Sequence, residues 1–215
     1  MPAALEQFAK PVIVGRSSSH FTRVTRIFAA ELRVDCSFEV VRDLQSPNAA
    51  DYAGNPALKL PVLRTSAGTW FGALNICREL SRHSSLTPQR IVWPEDLDQP
   101  LLANTQELVV QAMATEATLI MAKRMGGSDA SDHQAKMRKS LLNTLSWLEQ
   151  NAKHALAALP ADRALSYLEV TLLCLVTHLE FVHLLPSASY PELNGFCQHF
   201  AARPSVNTTS FHFDA

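Results

Sequence analysis

The chain changes texture between His83 and Pro100. That stretch carries Pro88, Pro94 and Pro100 and shows neither strand nor helix periodicity. Before it, short β-type runs alternate with helical spacing; after it, every apolar pattern is helical. Such a chain folds into an α/β part followed by an all-α part. The boundaries are expected at 1–82 for the first domain, 83–100 for a linker with one turn of helix, and 101–215 for an all-helical domain with a C-terminal tail. With 215 residues, 47% apolar and 18% charged, there is material for a sizeable core, which excludes wholesale disorder.

In the first part, Pro11-Val-Ile-Val-Gly15 is an apolar run closed by glycine, a buried strand signal. Val24, Ile27, Phe28 and Leu32 then follow helical spacing, and residues 36–41 alternate as a second strand. Residues 48–52 form a short helix or a turn. Residues 60–63 and 69–71 flank Ser66-Ala-Gly68 as a hairpin, and residues 74–80 resume helical spacing. The order is β-α-β-α-β-β-α. In the second part, Leu102, Thr105, Val109, Ala112, Glu116 and Ile120 form one stripe, stopped by Gly126-Gly127. Residues 137–156 carry a second stripe ending near Pro160. Residues 165–185 are apolar on nearly all faces and read as the central core helix. Residues 190–202 make a fourth helix, ended by Arg203-Pro204, and a polar tail with Phe211 and Phe213 follows.

Charge and cysteine narrow the function. Nineteen Lys and Arg against twenty Asp and Glu leave a net charge of −1, which disfavours a nucleic-acid binder. Residues 1–95 hold 11 basic and 8 acidic side chains, a net of +3, whereas residues 96–215 hold 8 and 12, a net of −4. An anionic ligand therefore belongs with the first part. Cys36, Cys77, Cys174 and Cys197 lie far apart with no zinc spacing, so reduced thiols in a cytoplasmic protein and no metal are expected. His178 and His183 are five apart and do not share a helix face as metal ligands. The most apolar run contains Glu169, His178, Glu180 and His183, which argues against a membrane span, and the first ten residues lack the pattern of a secretory signal.

The most informative segment is Asn55-Pro-Ala-Leu-Lys-Leu-Pro-Val-Leu63. Pro61 cannot donate to a ladder and must stand at a strand's first residue or edge. A cis Leu60–Pro61 bond would turn the main-chain groups of Leu60 toward open space, where a peptide-like ligand can add as a strand. A trans proline at a strand start is the ordinary alternative.

This segment resembles the glutathione transferase pattern Asn-Pro-x-Gly-Lys-Val-Pro-x-Leu. Ile76-Cys-Arg-Glu-Leu80 is similar to that family's Ile-x-Arg-Tyr-Leu, and Tyr190-Pro-Glu-Leu193 through Arg203-Pro-Ser-Val206 to its Tyr-Pro-x-Leu…Arg-Pro-x-Val. The likeness spans nearly the whole chain. It implies a thioredoxin-like βαβαββα domain followed by a helical bundle, a cis Pro61, and a homodimer. It also implies glutathione as co-substrate, with Leu60 pairing its cysteinyl part, and a small apolar electrophile as second substrate, received by the helices and the Phe211/Phe213 tail.

The resemblance places the thiol-activating residue at Ser19, or at Ser18 after a one-residue shift. A hydroxyl or N–H at a helix N-terminus stabilises a thiolate, although serine there equally serves as a cap. Serine instead of cysteine argues against disulfide exchange. His20 follows as a base, a cation or, by default, a solvated residue. Lys59, Leu60, Pro61, Gly72 and Ala73 complete the expected glutathione site. Two departures stand out. The Glu-Ser or Gln-Ser pair that holds the γ-glutamyl end is replaced by Gly72-Ala73, leaving the Ala73 N–H, Lys59 or Arg16 to meet the carboxylate. Leu58 replaces the usual glycine. The first departure motivates a second reading, a non-catalytic binding or interaction protein on the same fold. Ser166-Tyr-Leu-Glu169 is expected to form a capping box, and Trp70, Trp93 and Trp147 are expected in cores or interfaces.

Overall fold

A computed structural model of the chain describes residues 10–87, 89–124, 131–183 and 189–215. The stop expected at Gly126-Gly127, the helix end expected at Leu185 and the residues 1–9 of the N-terminus lie outside the described residues. The chain forms two units, Met1–Pro88 with Arg203–Ala215, and Gln89–Ala202.

The first unit is built on strands β1 (Val12–Gly15), β2 (Ser37–Val40), β3 (Val62–Thr65) and β4 (Gly68–Phe71), in the order β2-β1-β3-β4. β1 and β2 are parallel and joined through helix α1 (His20–Glu31); β3 and β4 are antiparallel, and helix α2 (Ala73–His83) follows. A short 3-10 helix, Ala49–Tyr52, precedes β3. Alternation divides the sheet's faces. Val14, Val41 and Val62 form a buried cluster on one, joined by Leu44, Leu60 and Phe71. Ile13 and Leu63 point the other way and are buried, and α1 and α2 supply Val24, Ile27, Phe28, Ile76 and Leu80. The two helices pack on each other and on the sheet.

In the second unit, α3 (Pro100–Arg124), α4 (Asp132–Ala158), α5 (Tyr167–Phe181) and α6 (Pro191–Phe200) pack as a bundle, with α3 and α6 each lying against both α4 and α5. Six successive α5 residues, from Val170 to Leu175, are 0% exposed, as expected for a helix apolar all round. One stripe position of α3 is acidic, and the structure explains it. The buried Glu116 carboxylate lies 2.8 Å from Nδ1 of His178 on α5. Burial pushes the Glu116 carboxyl above its ordinary range, and the hydrogen bond and charge of His178 oppose that rise.

Three expectations change. The stretch expected as a linker contains a strand, β5 (Ile91–Val92), paired in parallel with β6 (Leu165–Ser166). Two-residue strands are too short to leave a period, and β6 takes the first two residues of the expected core helix. Residues 203–215 group with the first unit, not with the helical one. They open with helix α7 (Pro204–Thr208), packed on α1, where Arg203 Nη1 meets Glu31 at 2.8 Å and Arg23 Nη2 donates to the Val206 carbonyl at 3.1 Å. The capping box is not formed: Ser166 makes no side-chain cap and its hydroxyl is buried without a hydrogen-bond partner among the described residues. Glu169 is taken instead by Arg163, Nε to Oε2 at 2.9 Å and Nη2 to Oε1 at 2.6 Å. A bidentate guanidinium outcompetes a main-chain N–H for a carboxylate.

Two tests follow from these contacts. Arg163→Ala should destabilise the protein by about 2 kcal/mol in urea unfolding, whereas Ser166→Ala should stay within about 0.5 kcal/mol, below the usual cost of losing a cap. Because the folded state raises the Glu116 pKa, the associated stability is present below pH 4.5 and is lost as pH rises through the raised value. Glu116→Gln should therefore gain on the wild type in thermal melts as pH increases above 4.5.

Candidate functional site

The sheet brings the expected site residues of the first unit to one rim. Register pairs Gly15 with Val40, Val14 with Val62, and Val62 with Phe71. The ends of β1, β2 and β4 and the start of β3 therefore lie side by side. α1 leaves this rim through residues 16–19, and α2 leaves it at Gly72. The ladders end at Val14–Val62 and Val62–Phe71, so the chain after β1, the chain after β4 and the Leu60–Pro61 approach to β3 all leave from this rim. Two helix N-termini at one rim collect main-chain N–H groups and the positive ends of two helix dipoles.

The loop after β1 is set by a close approach. A Cβ on residue 15 would sit 2.4 Å from Thr22 Cγ2, so only glycine lets the first turn of α1 lie against the strand. The buried Thr22 hydroxyl accepts the Arg16 N–H at 3.4 Å, and the Thr22 N–H donates to Ser19 Oγ at 3.2 Å. Ser19 is thus the N-cap of α1, half-buried, and Ser18 beside it is half-buried. Accepting a hydrogen bond leaves a hydroxyl its own proton to donate, so capping and thiolate stabilisation are chemically compatible. His20, expected at the surface, is 3% exposed; its ring packs 4.6 Å from that of Phe21.

On the other side of the rim, Asn55 organises the approach to β3. Its Nδ2 donates to the Lys59 carbonyl at 2.7 Å and its Oδ1 accepts from the Ala57 N–H at 3.0 Å. An Asn before Pro is a turn signal, and the sequence reading passed over it as a site-shaping residue. Leu58 adopts φ +52°, the left-handed conformation that glycine takes without penalty. The turn thus forms with leucine in place of glycine. The Lys59 side chain is exposed, Leu60 is half-buried against Val14, Val41 and Val62, and the Leu60–Pro61 bond is cis. Gly72 caps α2 with φ +82° and no side-chain hydrogen bond; Ala73 is buried.

The rim also holds a group that sequence reasoning missed. Asp214 Oδ2 accepts the Ser17 N–H at 2.9 Å and lies 3.8 Å from Arg16 Nε. Burial works against its charge, but the bonds from Ser17, and then the charges of Arg16 and His212, hold its carboxyl below the usual range. A partner 197 residues away leaves no local signal. Of the two tail phenylalanines, Phe211 lies under Arg23, ring centroid 4.4 Å from Cζ, and Phe213 is 59% exposed. The Cys36 thiol is pushed up to about 11 by burial and by Asp35, with Lys10 opposing, so it is not a nucleophile at neutral pH.

No family model matches the sequence, and a search of curated proteins finds no match. Solved structures do match. A glutathione S-transferase from Methylobacillus flagellatus KT, solved with glutathione bound, is 20% identical, over 94% of this chain and 100% of that one, with a TM-score of 0.74. A glutathione transferase family member from Pseudomonas fluorescens Pf-5, with bound S-(propanoic acid)-glutathione, is 16% identical over 94% and 100%, TM-score 0.71. The Tau class glutathione S-transferase of mango, Mangifera indica, is 16% identical over 95% and 94%, TM-score 0.66. The chain has the glutathione S-transferase fold, a thioredoxin-like domain followed by a helical one. No helix among the described residues is long and apolar enough to cross a membrane.

Positions 58 and 72 give opposite expectations. Leu58→Gly should stabilise the protein by about 0.5–1 kcal/mol, since left-handed backbone costs a side-chain-bearing residue roughly 1–2 kcal/mol. Gly72→Ala, at φ +82° and ψ 139°, should destabilise it by about 1–3 kcal/mol, a backbone cost alone, because a Cβ there meets nothing within 4 Å. Paired chemical-denaturation curves check both signs.

Proposed function

We propose that the protein is a glutathione transferase, joining glutathione to a small apolar electrophile. The observation that carries this reading is the single rim on which the α1 N-terminus, the Leu60–Pro61 segment and the α2 N-terminus meet. The glutathione bound in structural neighbours of the same fold supports it.

In this reading the cysteinyl part of glutathione pairs with the main chain of Leu60. Its thiol lies at the start of α1, where the Ser19 hydroxyl donates to the sulfur; Ser18 is the alternative donor. Donation and the helix dipole lower the thiol pKa and the proton leaves to solvent; the thiolate then attacks the electrophilic carbon, and with an aryl halide the carbon–halogen bond breaks and halide departs to solvent. The γ-glutamyl carboxylate meets the uncapped N–H groups of α2 at Gly72 and Ala73, with Lys59 near. The helical domain receives the electrophile, the working form is a homodimer, and the compartment is the cytoplasm. Gly72-Ala73 supplies no side-chain hydrogen bond, and this favours the second reading, a binding protein without turnover.

Calorimetric titration with reduced glutathione separates the two. The transferase reading expects a micromolar to low-millimolar Kd and conjugation of an aryl halide. With Ser19→Ala it expects kcat to fall about 10–100-fold at nearly unchanged Kd, and stability to fall by about 1 kcal/mol through the lost cap. Binding without turnover selects the second reading. No saturation at several millimolar removes glutathione from both.

A further inference from the structure

Residues 203–215 run along α1 and end on the rim. The segment is pinned by Arg203 to Glu31, by Arg23 to the Val206 carbonyl and by the Phe211 ring under Arg23, and Thr209 is 4% exposed. Asp214 is the only acidic side chain after Glu192. A lone carboxylate ordinarily stays in water. This one is 9% exposed, accepts the Ser17 N–H, faces Arg16 at 3.8 Å, and has His212 Nε2 at 3.9 Å from its other oxygen. The next carbonyl, of Ala215, accepts from Arg42, whose own carbonyl accepts from Arg16 at 2.9 Å. The chain thus places an anion of its own on the donors that follow β1.

We propose that residues 209–215 are a strap that closes the candidate glutathione site from within the chain, its Asp214 carboxylate holding the Ser17 amide and the Arg16 guanidinium that an incoming anionic ligand takes over. The inference rests on the glutathione reading above. Glutathione carries two carboxylates and, when activated, a thiolate, and a fixed carboxylate on the same rim repels all three. The contacts that hold the strap, the Asp214 pairs with Ser17 and Arg16 foremost, set the cost of opening it. The apparent affinity is then the intrinsic affinity reduced by the open fraction. The site is gated by competition between one carboxylate of the protein and those of the ligand.

The test uses the full chain, labelled with nitrogen-15, as wild type, Asp214→Ala and Phe211→Ala. Asp214→Ala should bind glutathione about tenfold more tightly, the scale of one charge-assisted hydrogen bond. Phe211→Ala, which keeps the carboxylate but loosens the strap, should shift the Kd in the same direction by less, and it carries the test if Asp214→Ala does not fold. In the wild type, saturating glutathione should shift the Ser17 amide and sharpen the amide signals of residues 210–215 as the strap releases. Equal Kd values with unchanged tail signals overturn the strap and leave the glutathione reading intact. If no variant binds glutathione, that reading fails and succinate becomes the probe. A Ser17 response in Asp214→Ala at about a tenth of the succinate concentration needed by the wild type upholds the strap as a gate for carboxylates. Equal responses, or none in either protein, overturn it.

Discussion

The rim depends on how closely the first turn of α1 approaches the end of β1. At residue 15 there is no room for a side chain: a Cβ would lie 2.4 Å and 2.6 Å from two atoms of the buried Thr22 side chain. Here glycine serves space and not backbone freedom. Thr22 then works in both directions, its hydroxyl accepting from Arg16 on the strand side and its N–H donating to Ser19 on the helix side. Four loop residues are left with little freedom between fixed ends. The orientation of the Ser19 hydroxyl and of the Ser17 N–H both follow from that one contact. A looser junction would leave the same residues present and the chemistry unpositioned, since about an ångström of misplacement is enough to lose orientation effects.

The basic excess of the first part acquires a geometry on folding. Two of its cations are spent on partly exposed pairs, Lys10 with Asp35 and Arg64 with Glu39, each worth little in water. Arg23 is 5% exposed and faces the main chain of α7 and the Phe211 ring. Arg26 stacks over Phe38, and burial lowers its pKa, with Asp214 opposing. Arg16 and Arg42 are turned to the tail at the rim. The net charge of the domain therefore says less than the placement of two guanidinium groups. With the exposed Lys59, those two shape what an anion meets on arrival.

The fold was legible because its signals are local. Val-Ile-Val before Gly15, the spacing of Val24, Ile27 and Phe28, and the wholly apolar run through Leu175 each report a burial pattern along a single element. The site was legible only where it is local too, in the serines before α1 and the Asn55–Leu63 segment. What escaped is carried by pairs that no single periodic element contains. β5 pairs Ile91 with Leu165, Arg163 captures the Glu169 expected to cap α5, and Asp214 reaches Ser17. Composition does not encode such pairs, because nothing in the neighbourhood of either partner names the other. His20 escaped for a related reason: its burial is decided by what packs on the first turn, not by the turn itself.

Positions 58 and 72 show how recognition at this rim is divided between side chain and main chain. At 58 the chain keeps a left-handed turn with leucine and tolerates the cost, because the Asn55 side chain bridges the turn through the Lys59 carbonyl and the Ala57 N–H. At 72 it adopts φ +82° with glycine, relieving strain and removing any side chain that could hold a ligand. The start of α2 then offers only N–H groups and the helix dipole. Main-chain donors accept any anion of suitable shape, so they give affinity with little selectivity. Selectivity on such a rim has to come from what competes for it. A tethered carboxylate that charged ligands displace and neutral ones do not supplies a filter that the missing side chains no longer provide.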